Sequence, residues 1–332
     1  MAEIAVLGAG SWGTSLAILL AEQNEHKVRL WEFRPDAAKA LAEERINREF
    51  LPGIPFPEDI EVFNDIEDSL HGVDAVLIVV PSQFVRSAFE RIKNIPNNAI
   101  WIGASKGVEN NSLLRMSQVA GDVLGSEVEK RFVAFSGPSH AEEVSNNLPT
   151  TVVAACPDLE LARTVQHWFS TPTFRTYASE DLIGVELGGA TKNVMAIATG
   201  MCDGLGFGDN TRGALMTRGL AEMARLGIAM GAKLETYAGL SGIGDLITTC
   251  TSKHSRNRFV GEELGKGRAL KSILDTMIMV AEGVATTISV YDLSKEVGIE
   301  MPITEQVYRI LFEDASPREA VMQLMTRSLK VE

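Results

Sequence analysis

A lysine follows three small residues in the middle of a long, mostly apolar segment. The segment runs from Glu186 to Met195, and Lys192 comes just after Gly188-Gly189-Ala190. Glycine destabilises a helix interior by roughly 1 kcal/mol relative to alanine, so the pair predicts close approach of another backbone or of a ligand. From this segment alone, Lys192 either extends to solvent at a helix crossing or is a buried amine that acts as an acid or base.

A second polar segment, Ser241 to Arg258, lies between helical sequences. It contains Gly-x-Gly-Asp, ending at Asp245, then a run of hydroxyl residues and Ser255-Arg256-Asn257. Arginine can bind an anion through two parallel N–H groups, and the neighbouring amide adds a donor, which suits a phosphate monoester. The alternative is a polar loop in which Asp245 or Ser255 is only a helix N-cap.

These groups need elements to position them, and the first such element is a glycine-rich turn at the N-terminus. Gly8-Ala9-Gly10-Ser11-Trp12-Gly13 lies between a predicted strand, Ile4–Leu7, and a predicted helix, Thr14–Gln23. The next predicted strand is Val28–Trp31. Gly-x-Gly-x-x-Gly in a βαβ unit indicates a dinucleotide site.

Each glycine of this motif has a separate physical role. Gly8 allows the tight turn, Gly10 leaves room for a pyrophosphate, and Gly13 lets the helix pack closely on the strand. The helix N-terminus then offers free N–H groups and the positive end of its dipole to the phosphates.

The end of the second strand gives two conflicting indications about the cofactor. Glu32 lies 19 residues after Gly13, where an acid commonly holds the ribose 2′-hydroxyl of NAD. Arg34 would instead pair with the 2′-phosphate of NADP, or it is a solvated surface charge. The sequence therefore predicts a site that can use either dinucleotide.

Further apolar runs continue the alternation of strand and helix. The predicted strands are Ala75–Val80, Ile100–Ala104, Phe132–Phe135, Thr151–Ala155 and Phe174–Tyr177. Ligands of open α/β sheets lie outside the carboxyl ends of the strands. Lys106 and the Gly137–Ala141 loop follow two of these strands, so they are candidate site residues; Lys106 is otherwise an ordinary loop lysine.

The second half of the chain changes to helical periodicity. The predicted helices are Thr211–Gly231, Val284–Val297, Thr304–Phe312 and one beginning at Ser316-Pro317. The change places a domain boundary near Leu182–Gly188, inside a long helix.

The charge, the cysteines and the apolar runs of the chain disfavour several classes of function. The 332 residues carry a net charge of −13, which disfavours nucleic acid or an anionic membrane as a partner. Cys156, Cys202 and Cys250 lie far apart, so neither a disulfide framework nor a zinc cluster is expected, and no other metal site is indicated. The N-terminus does not resemble a signal peptide, and the densest apolar run, Val76–Val80, is too short to cross a bilayer.

Taken together, these motifs resemble the bacterial-type NAD(P)-dependent sn-glycerol-3-phosphate dehydrogenases. The matching segments occur in the family's order along the whole chain. They are Gly8–Thr14, Phe50–Gly53, Val79–Ser82, Ser105–Gly107, Ser136–Ser139, Leu187–Asn193, Gly242–Leu246, Ser255–Asn257 and Met301–Thr304.

The resemblance implies an α/β Rossmann domain, residues 1–185, with a doubly wound and mainly parallel sheet. An all-α substrate-binding domain, residues 186–332, follows it, and the active site lies between the two. The implied reaction is hydride transfer between NAD(P)H (NADH or NADPH) and dihydroxyacetone phosphate, which gives sn-glycerol 3-phosphate for glycerophospholipid synthesis. A cytoplasmic homodimer that acts on this small phosphorylated triose, without nucleic acid or membrane insertion, is expected.

The resemblance also carries residue roles over to this chain. Lys192 matches the general acid/base. The substrate positions are Lys106, Gly137, Ser139, Lys192, Asn193, Asp245, Ser255, Arg256 and Asn257. The cofactor positions are Gly8, Gly10, Ser11, Trp12, Gly13, Phe33, Arg34, Phe50, Lys106, Ala141, Arg256, Val280 and Glu282.

Elementary chemistry agrees with the lysine's implied role. Ketone reduction needs a hydride on carbon and a proton on the developing alkoxide. Desolvation and a nearby Lys106 would lower the pKa of Lys192 towards working pH, whereas Asp245 would favour its ammonium form.

Two alternatives stay open. One is a dehydrogenase of the same architecture that acts on a hydroxy acid or hydroxyacyl substrate. The other is a dinucleotide sensor without turnover, which would have no need of an acid/base.

Overall fold

A computed structural model of the chain describes residues 1–23, 26–329 and 331. Within these residues, eight strands form one sheet. They are β1 (Glu3–Leu7), β2 (Lys27–Trp31), β3 (Ile60–Phe63), β4 (Ala75–Ile78), β5 (Ile100–Gly103), β6 (Phe132–Ser136), β7 (Thr150–Ala155) and β8 (Phe174–Ser179).

The sheet has the order β3-β2-β1-β4-β5-β6-β7-β8. The first six strands are parallel, in the Rossmann order. β7 runs antiparallel to β6, and β8 is parallel to β7. In register, Leu7 lies opposite both Trp31 and Ile78, so the carboxyl ends of β1, β2 and β4 meet at one edge.

Helices cover both faces of this sheet. They are α1 (Ser11–Ile18), α2 (Pro35–Glu44), α3 (Ile66–Leu70), α4 (Val85–Phe89), α5 (Met116–Leu124), α6 (Ser126–Lys130), α7 (Ala141–Ser145) and α8 (Leu159–Phe169). Alternate residues of β1 enter separate cores: Ile4 and Val6 join one, and Ala5 and Leu7 the other. This two-residue period is what a strand buried on both faces requires.

The remaining elements are helical, as the change of pattern predicts. They are α9 (Leu182–Gly204), α10 (Asp209–Ala229), α11 (Leu234–Tyr237), α12 (Asp245–Thr251), α13 (Arg256–Gly265), α14 (Leu270–Leu274), α15 (Glu282–Glu296), α16 (Pro302–Phe312) and α17 (Pro317–Met325). The α/β Rossmann unit followed by a helical unit is therefore confirmed. Ser316 caps α17, as predicted, through its hydroxyl and the N–H of Glu319.

The structure differs from the predicted elements at a weak edge strand and at the first helix. β3 was not expected, because Ile60 is buried but Val62 and Phe63 are only half-buried at the sheet's edge, which leaves a weak apolar pattern. The first helix begins at Ser11 rather than Thr14 and ends in a wider π-helical turn, Leu19–Gln23.

α9 is the central element of the helical core. Its residues from Leu187 to Cys202 are all buried. α13 crosses it at glycines on both helices, because a Cβ at Gly200 would overlap the carbonyl oxygen of Arg258 and one at Gly261 that of Ile197. This close crossing fixes the N-terminus of α13 beside the middle of α9.

The described part of the chain contains no helix that is both long enough and apolar enough to cross a membrane.

Candidate active site

A cleft of about 670 Å³ lies between the carboxyl ends of the strands and the helical unit. Most of the predicted site residues line it. They are Gly8, Gly10, Ser11, Trp12, Phe33, Arg34, Phe50, Lys106, Ser139, Ala141, Lys192, Asn193, Asp245, Ser255, Arg256, Asn257, Val280 and Glu282. Gly13 and Gly137 are not part of this lining.

The centre of the cleft holds two lysines on one carboxylate. Lys192 Nζ lies 3.0 Å from Asp245 Oδ1, and Lys106 Nζ lies 2.8 Å from Asp245 Oδ2. Lys192 also donates to Thr249 Oγ1 at 2.7 Å, and Thr249 in turn donates to Asp245 Oδ1 at 3.1 Å. Lys192 is only 6% exposed, so the solvent-extending alternative is wrong.

The small residues before Lys192 have the close contacts that the sequence predicts. A Cβ at Gly188 would lie 2.5 Å from the carbonyl oxygen of Ser241, and one at Gly189 would lie 2.7 Å from Ser136 Oγ at the end of β6. The glycines thus let α9 approach the end of the sheet, where Lys192 meets Lys106.

Burial dominates the electrostatics of this centre. Desolvation lowers the pKa of Lys192 to about 8; Asp245 opposes that fall, and the Lys106 cation adds to it. Burial alone would raise the pKa of Asp245, but the two ammonium groups hold it below its usual value. An aspartate that stays ionised therefore orients an amine whose proton is easily released.

The predicted asparagines form a chain of hydrogen bonds rather than two free groups. Asn257 accepts from the N–H of Gly283 at 2.9 Å and donates to Asn193 Oδ1 at 2.9 Å. Asn193 donates to the carbonyl oxygen of Lys106 at 3.4 Å. This chain ties α15, α13, α9 and the loop after β5 together around the lysine pair.

The N-terminus of α13 carries Ser255 and Arg256, which the sequence predicts to bind an anion. Ser255 is its N-cap, with Oγ accepting from the N–H of Arg258 at 3.2 Å. Arg256 is the first helical residue and donates to the carbonyl oxygen of Val280 at 3.1 Å. A guanidinium at a helix N-terminus inside a cleft is suited to a phosphate group.

The glycine-rich turn fits a pyrophosphate. A Cβ at Gly13 would overlap the carbonyl oxygen of Gly8, so Gly13 serves packing of α1 on β1, whereas a Cβ at Gly10 would meet no atom within 4 Å. Gly8 has a φ of 119°, which favours glycine. The first turn of α1 has neither a side-chain cap nor an acidic residue, which leaves its N–H groups for an anion.

The other predicted positions support these groups. Gly137 has a φ of 148° and accepts from Lys106 Nζ at 3.0 Å through its carbonyl oxygen. Ser139 donates to the same oxygen at 3.1 Å. Ala141 begins α7 and accepts from Ser15 Oγ at 3.2 Å. Glu282 accepts from the N–H of Ser82 at 2.8 Å, which joins α15 to the loop after β4.

The cleft lining also includes residues to which the sequence analysis gave no individual role, and Thr249, Glu49 and His140 are among them. Thr249 lies four residues after Asp245 on α12, and that helical spacing was the available signal. Glu49 also lines the cleft, but nothing in its sequence position indicates this. His140 lines it too, and burial together with the Lys192 cation lowers its pKa.

Among residues 1–23, 26–329 and 331, no three His, Cys, Asp or Glu side chains come together as metal ligands would. Cys156, Cys202 and Cys250 are buried free thiols.

Comparisons with known proteins cover nearly the whole chain. Residues 3–162 match the family described as NAD-dependent glycerol-3-phosphate dehydrogenase N-terminus, and residues 181–322 match the corresponding C-terminus. A relative from Citrifermentans bemidjiense, named glycerol-3-phosphate dehydrogenase (NAD(P)+), is 52% identical over 100% of this chain and 99% of its own. One from Chlorobium limicola with the same name is 49% identical over 99% of each chain.

A solved structure agrees with the sequence matches. The glycerol-3-phosphate dehydrogenase from Coxiella burnetii superposes with a TM-score of 0.93 at 42% identity, over 98% of this chain and 99% of its own. The chain therefore belongs to the NAD-dependent glycerol-3-phosphate dehydrogenase family.

Proposed function

We propose that this chain interconverts dihydroxyacetone phosphate and sn-glycerol 3-phosphate with NAD(P)H. The observation that carries the proposal is the buried pair of Lys192 Nζ and Asp245 Oδ1, 3.0 Å apart, in the same cleft as Arg256. A buried amine with a lowered pKa serves proton transfer, and an arginine at a helix N-terminus serves a phosphate.

Proton transfer is the task of Lys192. When bound, NAD(P)H supplies the hydride that reduces the ketone carbon. The Lys192 ammonium donates a proton to the oxygen that becomes negative, and a positioned acid of this kind contributes roughly 10²–10⁴-fold. In the opposite direction, the neutral amine accepts the proton of the alcohol.

Asp245 and Thr249 orient the amine. Both contact Lys192 Nζ, at 3.0 Å and 2.7 Å, so they restrict where its remaining N–H points. Lys106 is held on the other oxygen of Asp245 and supplies a second fixed positive charge close to the developing alkoxide.

Substrate recognition falls to the start of α13. Arg256 and the free N–H groups of that helix bind the phosphate in this proposal. Asn257 acts by holding Asn193 and α15 in place, because its side chain already bonds to Asn193 and Gly283.

The opposite end of the cleft is suited to the adenosine half of the dinucleotide. Gly10 and the N-terminus of α1 would receive the pyrophosphate, and Phe33 and Arg34, which follow β2, would receive the adenosine together with Phe50. Ser139, Ala141, Val280 and Glu282 also line the cleft. In this proposal, hydride transfer takes place next to Lys192.

The test is a comparison of substrates. Oxidation of NADH or NADPH should be rapid with dihydroxyacetone phosphate, slow with unphosphorylated dihydroxyacetone and absent with 2-oxo acids. Turnover of a 2-oxo acid but not of the triose phosphate would favour the hydroxy-acid alternative. Dinucleotide binding without turnover of any of these ketones would favour the sensor.

The same proposal includes supply of sn-glycerol 3-phosphate for glycerophospholipid synthesis by a cytoplasmic homodimer. Light scattering after size-exclusion chromatography tests the dimer, and cell fractionation tests the location. Rescue of a glycerol-auxotrophic strain that lacks its own enzyme tests the metabolic role.

A further inference from the structure

Glu32 is buried at the end of β2, beside the glycine-rich turn. The N–H of Gly8 donates to the carbonyl oxygen of Trp31 at 3.1 Å, which holds the segment after β2 next to the predicted pyrophosphate position. Glu32 is 4% exposed and lines the cleft. Its backbone is fixed on both sides, because its N–H donates to Phe63 and its carbonyl oxygen accepts from Asn64 at 2.9 Å.

Both ends of Arg34 are held by carboxylates. Glu32 Oε1 accepts from the backbone N–H and from Nε of Arg34, both at 3.0 Å. Glu49 takes the other end, with Oε1 3.2 Å from one terminal nitrogen of the guanidinium and Oε2 2.9 Å from the other. Every nitrogen of Arg34 thus already donates to an acid.

The aromatic residues beside Arg34 fix it further. Its guanidinium carbon lies 5.8 Å from the centre of the Phe33 ring and 5.4 Å from that of Phe50. Because two carboxylates and two rings contact this side chain, turning it towards a new anion would break several contacts at once.

The net charge of these side chains should favour one dinucleotide over the other. Glu32, Arg34 and Glu49 together carry a net charge of −1, which opposes the 2′-phosphate of NADPH. A ribose 2′-hydroxyl is neutral and can donate to a carboxylate. We propose that Glu32 and Glu49, by occupying Arg34, make this chain prefer NADH to NADPH. The proposal rests on the dinucleotide site in the proposed function and adds which dinucleotide that site favours.

Equilibrium binding tests this directly. Titration of the protein with NADH and with NADPH, followed by the fluorescence of the reduced nicotinamide, should give a dissociation constant at least about tenfold lower for NADH. Glu32→Gln and Glu49→Gln each remove one negative charge while keeping the side-chain shape. Each variant should reduce the ratio of the NADPH to the NADH dissociation constant by about tenfold, chiefly because NADPH binds more tightly.

Glu44→Gln is the matched control. Glu44 ends α2 and pairs with Arg48, and it does not line the cleft, so this variant should keep the wild-type preference. If the buried Glu32 variant does not fold, the Glu49 variant alone tests the proposal, because the side chain of Glu49 is 42% exposed.

Two results would overturn the proposal. One is NADPH binding to the wild-type protein as tightly as NADH. The other is a preference for NADH that both cleft variants retain to the same extent as Glu44→Gln. Binding does not depend on turnover, so a protein that prefers NADH but reduces no triose phosphate would refute the proposed function and leave this proposal standing.

Discussion

Lys192 Nζ lies 3.0 Å from Asp245 Oδ1 in a pair of side chains that are 8% and 2% exposed. A buried ion pair of this kind is seldom a net source of stability, because both charges lose their hydration. Here the carboxylate also holds Lys106, so three charged groups meet at the junction of the sheet and the helices. A group of buried charges that adds little stability is expected where one of them, the amine, transfers protons.

The pH dependence of turnover should report the protonation of Lys192. Reduction of the ketone needs the ammonium form, and burial lowers the pKa of Lys192 to about 8. We therefore expect kcat/KM for dihydroxyacetone phosphate to be constant below that pH and to fall above it. Oxidation of sn-glycerol 3-phosphate needs the neutral amine and should rise through the same range. Initial rates in both directions, from about pH 6 to about pH 10, measure this.

Asp245→Asn is the variant that links this profile to the ion pair. It removes the main group that favours the ammonium form, while burial and Lys106 still disfavour it. The decrease in kcat/KM should therefore occur at lower pH. Thr249→Val removes a hydrogen bond but no charge, so it should shift this decrease less. If kcat/KM falls at the same pH in wild type and in Asp245→Asn, the titrating group is not Lys192.

Removal of Arg256 should weaken phosphate recognition. A charge-assisted hydrogen bond contributes about 1.5–3 kcal/mol, so Arg256→Ala should raise the KM for dihydroxyacetone phosphate roughly tenfold to hundredfold. The rate with unphosphorylated dihydroxyacetone should change little. Steady-state kinetics with both ketones measure the difference.

Arg268→Ala is the control for charge. Arg268 pairs with Glu263 and does not line the cleft, so both KM values should stay at the wild-type level. An equal loss of rate with both ketones in Arg256→Ala would argue for a role other than binding phosphate.

The crossing of α9 and α13 should not tolerate a side chain at Gly261. A Cβ there would overlap the carbonyl oxygen of Ile197, and overpacking of this kind costs about 1–3 kcal/mol. Gly261→Ala should lower the free energy of unfolding in urea by that amount. Gly213→Ala places the same methyl group on α10, where no atom lies within 4 Å, and should be neutral or stabilising by up to about 1 kcal/mol. Equal stability of the two variants would refute this packing.

Glu222 should make stability depend on pH. It is 2% exposed and accepts from the N–H of Ile303 at 2.7 Å and that of Thr304 at 3.3 Å, at the start of α16. Burial, opposed by these donors, raises its pKa from 4.5 to about 7. Protonated Glu222 therefore stabilises the folded state fully below about pH 4.5, and this stabilisation is lost as the pH rises through about 7.

Glu222→Gln stays neutral over that range. Relative to wild type, its free energy of unfolding should therefore rise by up to about 3 kcal/mol between about pH 5 and about pH 8. Urea unfolding of both proteins across this range measures the difference. A difference that does not vary with pH would mean that Glu222 has the same pKa in the folded and unfolded states.

The order of the elements could be predicted because local pattern determines it. Each strand buried on both faces is a short apolar run, and the change to helical periodicity near Leu182 is abrupt. β3 was missed because a strand at a sheet edge keeps only part of that pattern. The sequence also predicted Lys192, Lys106 and Asp245 as site residues, through small-residue spacing, strand ends and family resemblance.

Relationships between distant residues could not be predicted in the same way. The pairing of Glu49 with Arg34 depends on how the chain after α2 returns to the cleft, which no local pattern records. The same holds for Asn257, whose amide the sequence suggested as a donor to phosphate and which donates to Asn193 and accepts from the N–H of Gly283. Such details arise from tertiary packing, and in our proposals they determine cofactor choice and the position of the lysines.

The most direct test of the account is the activity of Lys192→Gln with dihydroxyacetone phosphate and NADH. Lys253→Gln, at an exposed lysine outside the cleft, is the control. We expect kcat for Lys192→Gln to fall by roughly 10²–10⁴-fold, with the dissociation constant for NADH and the activity of the control unchanged. Turnover by Lys192→Gln at the wild-type rate would contradict the assignment of Lys192 as the proton donor.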